Sequence, residues 1–282
     1  MLTEAQVHEF NRNGCLIGGK VLDDEQVEQL RRELDRVIDK GKTGFTDTEP
    51  HPVLIQNLGR HQEKPVWQIV NIWEASPPFQ QLLFHPHIVR AISQLTGQTH
   101  LMVWHDQIQY KPAHHGGINM WHQDAPLWPI LRPHTPVSAW IALDDVDEDN
   151  GCMWMIPGSH KWGNHIDYLM KTPEEKFHQL GDDFTPPPGA ETNTVRRIPW
   201  PVSKGEVSFH HSMTWHGSGE NRSDRPRRAI AIHYMTGEAR FVASGQHVMK
   251  RFVQLEDGEA MSRAGAHFPT VCKNGSPLPS PV

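Results

Sequence analysis

Residues 121–124, Trp-His-Gln-Asp, put an imidazole and a carboxylate two positions apart. On an extended backbone, side chains at i and i+2 point to the same face, so His122 and Asp124 can close on one cation while Gln123 points elsewhere. A third ligand must come from far along the chain, and His216, in Trp215-His216-Gly217-Ser218-Gly219, is the candidate. Two imidazoles and one carboxylate on one face of an octahedral ion leave its other positions open, the arrangement used by non-haem Fe(II) oxygenases. The tripeptide alone carries little weight. With 20 His and 33 Asp+Glu in 282 residues, chance supplies about two His-x-acid tripeptides (20 × 33/282), the false-positive rate that any short motif carries. The chain has three, starting at His61, His122 and His165, so the surroundings must decide. His210, His211 and His233 compete with His216, and a lone histidine near a β core is more often a hydrogen-bonded structural residue than a ligand.

The elements that must position these residues fall into two kinds. Up to Gly97 the pattern is helical. Thr3-Glu4-Ala5-Gln6 has capping-box form and opens a short helix ending near Asn13-Gly14,. Residues 15–19 read as a short strand. Asp23 caps a longer helix with Val27, Leu30, Leu34, Val37 and Ile38 on one stripe, ended by Gly41 and Gly44,. Residues 42–65 read as a loop over a pocket. Pro77-Pro78 and then residues 87–95 start two more helices, the second stopped by Gly97. Beyond it come short strand-like runs at 100–110, 137–143, 152–156, 206–211 and 228–235, separated by turns such as Asp149-Asn150-Gly151,. Residues 161–204, with Thr185-Pro186-Pro187-Pro188-Gly189, read as an insertion between core strands. The expected class is mainly β with flanking helices packed outside a sandwich or barrel. One domain over 1–282 accommodates it: a helical segment 1–98, a β core 99–236 and a C-terminal segment 237–282 whose tail from Ser276 is expected to be poorly ordered.

Composition excludes several classes. A formal charge of −6 argues against a nucleic-acid-binding or polybasic membrane surface,. No apolar run approaches the ~18 residues of a membrane helix. Cys15, Cys152 and Cys272 form no C-x-x-C pair, which leaves no disulfide framework or cysteine zinc site and suits a reducing compartment,. The first residues lack a basic stretch followed by an apolar one, so a soluble cytoplasmic protein is expected. Nothing here marks an oligomer.

Six ordered fragments spanning about residues 100–236 resemble the phytanoyl-CoA dioxygenase family, with ectoine hydroxylases as relatives. They are Trp121-His122-Gln123-Asp124, Trp140-Ile141-Ala142-Leu143-Asp144, Asn150-Gly151-Cys152-Met153, Ile156-Pro157-Gly158-Ser159-His160-Lys161, Gly205-Glu206-Val207, and His216-Gly217-Ser218 followed by Asn221-Arg222-Ser223 and Arg227. The resemblance implies a double-stranded β-helix, the jelly-roll or cupin-like core, with Fe(II) at one mouth held by His122, Asp124 and His216. It implies 2-oxoglutarate as cosubstrate, chelating the metal by its keto-acid end, with O2 as the other. Arg227, eleven residues after His216, then takes the far carboxylate, Ser218 assists it, and Trp140 lines the cosubstrate pocket. A planar guanidinium can bind a carboxylate through two parallel hydrogen bonds. Arg225 and Arg228 are rivals; on a strand Arg228 faces opposite to Arg227, so only one can point inward. Gln107 and Gln109 share a face of the preceding strand and could donate to the cosubstrate. Related halogenases have a small residue in place of the carboxylate, whereas Asp124 is kept here. C–H hydroxylation with release of succinate and CO2 is the implied outcome.

Substrate contacts are expected from residues 42–74, 114–119 and 128–134 and from the insertion, with Asn119, Trp128 and His134 as named lining. Trp128, Trp154, Trp162 and Trp200 either cover an apolar substrate or belong to the core. No Lys or Arg run offers a site for coenzyme A phosphates, so the expected partner is another small molecule, such as a secondary metabolite or an amino-acid-like compound. Two other classes compete. A cupin-type hydrolase or isomerase would use the same metal ligands, ignore 2-oxoglutarate and leave Arg227 on the surface. A non-catalytic binding protein would have no need of both the ligand set and the arginine.

Overall fold

Strand pairing in the computed structural model, which describes residues 1–46, 48–58, 63–190 and 194–282, sorts the central strands into two antiparallel sheets. The larger runs in the order Cys15–Lys20, Glu206–His211, Val137–Ala142, Arg227–Thr236, Leu101–Lys111, Thr270–Lys273 and Ser276–Pro277. The hairpin Leu54–Asn57 with Trp67–Val70 joins it along Leu101–Lys111. The smaller sheet runs Asn119–His122, Trp215–Ser218, Met153–Ile156, Ile198–Trp200. Followed along the chain from Leu101 to Thr236, the successive strands of these two sheets fall in the larger, smaller, larger, smaller, smaller, larger, smaller and larger one. That winding is a jelly roll, or double-stranded β-helix,.

Period-two alternation builds both faces of the larger sheet. Along Arg227–Thr236, Ile230, Ile232 and Tyr234 face the helices, while Arg227, Ala229, Ala231 and His233 face the interior of the roll. The helices fill the outer face. Helix Glu4–Asn13 starts at the Thr3 capping box and stops where Gly14 turns left-handed at φ 73°,. Helix Asp24–Thr43, capped by Asp23, buries Val27, Leu30, Leu34 and Val37 in the same apolar cluster as Ile141, Val207 and Ile230. It runs through Gly41, which a helix tolerates at a cost of about 1 kcal/mol, and ends at Gly44.

Several short strands lie where periodicity gave none. Leu54–Asn57 falls inside the expected loop 42–65, and Ile198–Trp200 inside the expected insertion, where it pairs with Met153–Ile156 as the edge of the smaller sheet. Strands therefore enter the two sheets from outside 99–236 as well as from within it. Ser276–Pro277 pairs with Thr270–Lys273, and the Leu278 amide bonds the Val271 carbonyl, so the start of the tail is held rather than loose. Runs of two to four half-buried residues are too short for alternation to register. Among the described residues no helix is long and apolar enough to cross a membrane.

Candidate metal centre and cosubstrate pocket

His122 closes strand Asn119–His122 and lies directly across from His216 in Trp215–Ser218, with ring centroids 4.2 Å apart. The strand stops there. Asp124 has helical dihedrals (φ −70°, ψ −50°) and caps the turn Ala125–Leu127, so its carboxylate reaches the histidines through a turn and not through a continued strand. Asp124 Oδ1 lies 3.5 Å from His122 Nε2 and 3.6 Å from His216 Nε2. Gln123 points away as expected, donating to the carbonyls of Gly163 and Met213 and accepting from the His165 amide. Among the described residues, His122, Asp124 and His216 are the one group of three whose ligand atoms fall within 4.8 Å of one another. The His165 tripeptide makes no such group, and His61 lies outside the described residues.

Backbone carbonyls set both tautomers. A carbonyl only accepts, so His122 must donate Nδ1–H to Met120 O at 2.7 Å and His216 must donate Nδ1–H to Thr214 O at 2.9 Å. Each ring then presents the Nε2 lone pair to the centre, the state an imidazole needs to bind a metal. Burial and then neighbouring His122 hold His216 well below the usual histidine range. Burial opposes ionisation of Asp124, but His216, His122 and His210 outweigh it and keep the carboxyl well below its ordinary value. Burial also disfavours charge on His122, and adjacent Asp124 outweighs it and raises that pKa. A metal ion would take that proton's place.

The rival histidines have other partners. His210 Nε2 lies 3.1 Å from Asp124 Oδ2, and His233 Nδ1 lies 2.6 Å from Ser138 Oγ. His211 turns toward His160 and accepts from the Met213 amide.

The arginines separate as strand geometry requires. Arg228 points outward and chelates Asp144, while Arg225 pairs with Asp147 at the surface. Arg227 is fully buried. Its NH2 donates to Ser218 Oγ at 3.3 Å, and its Nε and NH1 meet no hydrogen-bond partner among the described residues. Burial pulls its pKa down to about 10. A buried donor without an acceptor costs free energy, and a carboxylate is the acceptor that would satisfy this one. The Trp140 ring lies 5.8 Å from the guanidinium carbon, and Trp140 Nε1 donates to Gln109 Oε1 at 3.3 Å. Opposite Arg227 across the strand pair sits fully buried Lys111, whose ammonium bonds the carbonyls of Ser218 and Gly219. Sequence reasoning missed Lys111, because only the strand register brings it beside Arg227.

A cavity of about 510 Å³ opens over His122 and Asp124. Asn119 and Trp128 line it, with Gln107 and Gln109. His134 does not: it is half-exposed at a turn, beside Arg132. Trp154, Trp162 and Trp200 are also elsewhere. Trp162 packs edge-on against Trp215, Trp154 packs on His178, and Trp200 donates to Ser208. Residues 114–117 stay out of the wall, whereas Ile118 and Met170 enter it. Gln56 and Gln68, joined to each other and on to Gln107 by amide hydrogen bonds, form a polar side that the loop expectation could not supply.

The profile described as "Phytanoyl-CoA dioxygenase (PhyH)" matches residues 10–229. The chain belongs to the phytanoyl-CoA dioxygenase family. This family member is 23% identical over 265 residues to the peroxisomal phytanoyl-CoA dioxygenase of Rattus norvegicus, across 88% of this chain and 74% of the relative. Its fold is similar to that of SnoK, a non-haem α-ketoglutarate-dependent carbocyclase from nogalamycin biosynthesis (TM-score 0.73, 24% identity, covering 95% of this chain and 96% of that one). It is also similar to the epimerase SnoN in complex with Fe3+, α-ketoglutarate and nogalamycin RO (TM-score 0.70, 23% identity, 95% and 97%). At such identities the likeness is one of fold. As a member of the family, the chain is an iron- and 2-oxoglutarate-dependent oxygenase.

Proposed function

We propose that this chain hydroxylates a C–H bond of an uncharged small molecule, with His122, Asp124 and His216 holding the ferrous ion. In the same proposal Arg227, steadied by Ser218, binds the far carboxylate of 2-oxoglutarate, and all 282 residues act as one domain. The reaction balances as substrate C–H, 2-oxoglutarate and O2 going to substrate C–OH, succinate and CO2. The bound iron supplies the redox chemistry. The side chains hold and exclude. Each histidine offers Nε2 because a carbonyl fixes its other nitrogen. Asp124 supplies one negative charge to the cation. Gln107 and Gln109 stand on the cavity wall where their amides can donate to the cosubstrate.

The observation that carries this reading is a fully buried guanidinium with two nitrogens unpartnered among the described residues, hydrogen-bonded to Ser218 on the strand that carries His216 of the buried His-Asp-His cluster. A hydrolase or isomerase without 2-oxoglutarate needs no such group, and would have Arg227 at the surface. The substrate assignment rests on the wall. Apart from Asp124, its lining consists of apolar, amide and histidine side chains, with no Lys, Arg or Glu among the described residues. A coenzyme A phosphate would find no cation there, so the acyl-CoA named for the rat relative is not carried over.

Anaerobic addition of Fe(II) and 2-oxoglutarate should give a weak visible charge-transfer band that is absent in Asp124→Ala. Iron-loaded protein that gives no band and turns no 2-oxoglutarate into succinate would end this proposal.

A further inference from the structure

A row of polar side chains remains beneath the carboxylate once the metal-facing residues and Arg227 are accounted for. His210, Ser138, His233 and His105 are direct cross-strand partners on four successive strands of the larger sheet. Each is no more than 2% exposed. Polar groups so buried destabilise a fold unless they are hydrogen-bonded, and three of the four bond toward Asp124. The carboxylate can only accept. The Ser138 hydroxyl has one proton, and giving it to Asp124 Oδ2 at 3.2 Å leaves the Ser138 oxygen to accept Nδ1–H of His233 at 2.6 Å. His210 gives Nε2–H to the same Oδ2 from 3.1 Å. The second ring nitrogens, His210 Nδ1 and His233 Nε2, meet no hydrogen-bond partner among the described residues, so these bonds are the ones that hold the two rings. Two donors thus occupy Oδ2, while Oδ1 alone faces His122 and His216.

We propose that His210 and Ser138, the latter oriented by His233, are positioning residues that keep Asp124 bound to the ferrous ion through Oδ1 alone. This rests on the ligand assignment above and adds a reason for the row. A carboxylate can grip a cation with one oxygen or with both. Three protein atoms and the two chelating atoms of 2-oxoglutarate leave one octahedral position for O2. An Asp124 free to turn would close that position with its second oxygen. With Oδ2 held by two donors, it cannot turn without breaking both bonds.

Co(II) titration of the full chain, without O2 and with 2-oxoglutarate present, tests this through the dissociation constant and the visible ligand-field spectrum. His210→Leu and Ser138→Ala should each weaken Co(II) binding about 10- to 100-fold and alter the spectrum in the direction of a changed coordination number. His210→Gln, whose amide can reach where Nε2 stood, should restore both. Wild-type affinity and spectrum in His210→Leu and Ser138→Ala would overturn the proposal. So would a His210→Gln no better than His210→Leu when the metal-free proteins unfold at the same temperature, since the loss would then be one of packing. If His210→Leu does not fold, Ser138→Ala, which removes one oxygen atom, decides alone. Asp124→Ala separates the two levels: wild-type Co(II) binding in that variant would remove the ligand assignment itself.

Discussion

Arg227 and Arg228 are neighbours in sequence and opposites in surroundings. On the outer face of the strand, Asp144 accepts from the Arg228 amide at 2.8 Å, from its Nε at 3.0 Å and NH2 at 2.9 Å, and from Arg31 NH2 at 2.6 Å. Charge there is matched within the protein, and it ties the helix Asp24–Thr43 to the sheet. On the inner face Arg227 has the Ser218 hydroxyl and, among the described residues, no ion pair, although it is the more deeply buried of the two. Its cross-strand partner Lys111 offers no counter-charge, and burial together with Arg227 pushes the Lys111 pKa well below its usual value. One face closes its electrostatics to build the fold, and the other leaves them open for a ligand. A local rule broken without internal compensation marks a functional position.

Swapping each arginine for methionine should separate these roles. Arg227→Met removes a carboxylate's charge-assisted hydrogen bonds, worth about 1.5–3 kcal/mol each. Two of them translate into a 2-oxoglutarate requirement raised about 100-fold or more. Metal content should hold, and the metal-free protein should unfold no earlier than wild type, because a buried charge without a carboxylate has been taken away. Arg228→Met should do the reverse. Asp144 keeps Arg31, so the expected loss is about 1–3 kcal/mol of stability in denaturant unfolding, with an unchanged 2-oxoglutarate requirement. If Arg228→Met moves that requirement and Arg227→Met does not, the two faces have been assigned the wrong way round.

The same strand shows how far sequence alone could go. Alternation at 228–235 separated Arg227 from Arg228, because period two is a local rule that needs no knowledge of neighbours. Strand register is not local. It brings Lys111 opposite Arg227, and it lines up His210, Ser138 and His233 on one rung, pairings read only between distant segments. The helices were legible through capping boxes and a clean stripe, as at Thr3 and along Val27 to Val37. Of the smaller sheet Met153–Ile156 was legible, inside the expected run 152–156, whereas its other strands are three or four residues long and two of them, Asn119–His122 and Trp215–Ser218, carry the motif residues themselves. His134 illustrates the opposite error. Nearness in sequence to Trp128 suggested a shared wall, but a turn carries His134 to the surface.

Ser218→Ala is the finest test of the inner face. The hydroxyl gives the Arg227 guanidinium its one hydrogen bond among the described residues, at 3.3 Å, and fixes one end of a group that must meet a carboxylate in plane,. A net hydrogen bond is worth about 0.5–1.5 kcal/mol, so the 2-oxoglutarate requirement should rise by at most about tenfold. Co(II) or Fe(II) affinity should not move, since among the described residues Ser218 Oγ bonds the Arg227 guanidinium and no metal-facing side chain. The pair should also be coupled. Adding Ser218→Ala to Arg227→Met should change nothing further, because the hydroxyl acts only through the guanidinium. An undiminished effect of Ser218→Ala in the Arg227→Met background would mean that the hydroxyl meets the cosubstrate itself, and Arg227 would then stand on its inner face without a partner of its own.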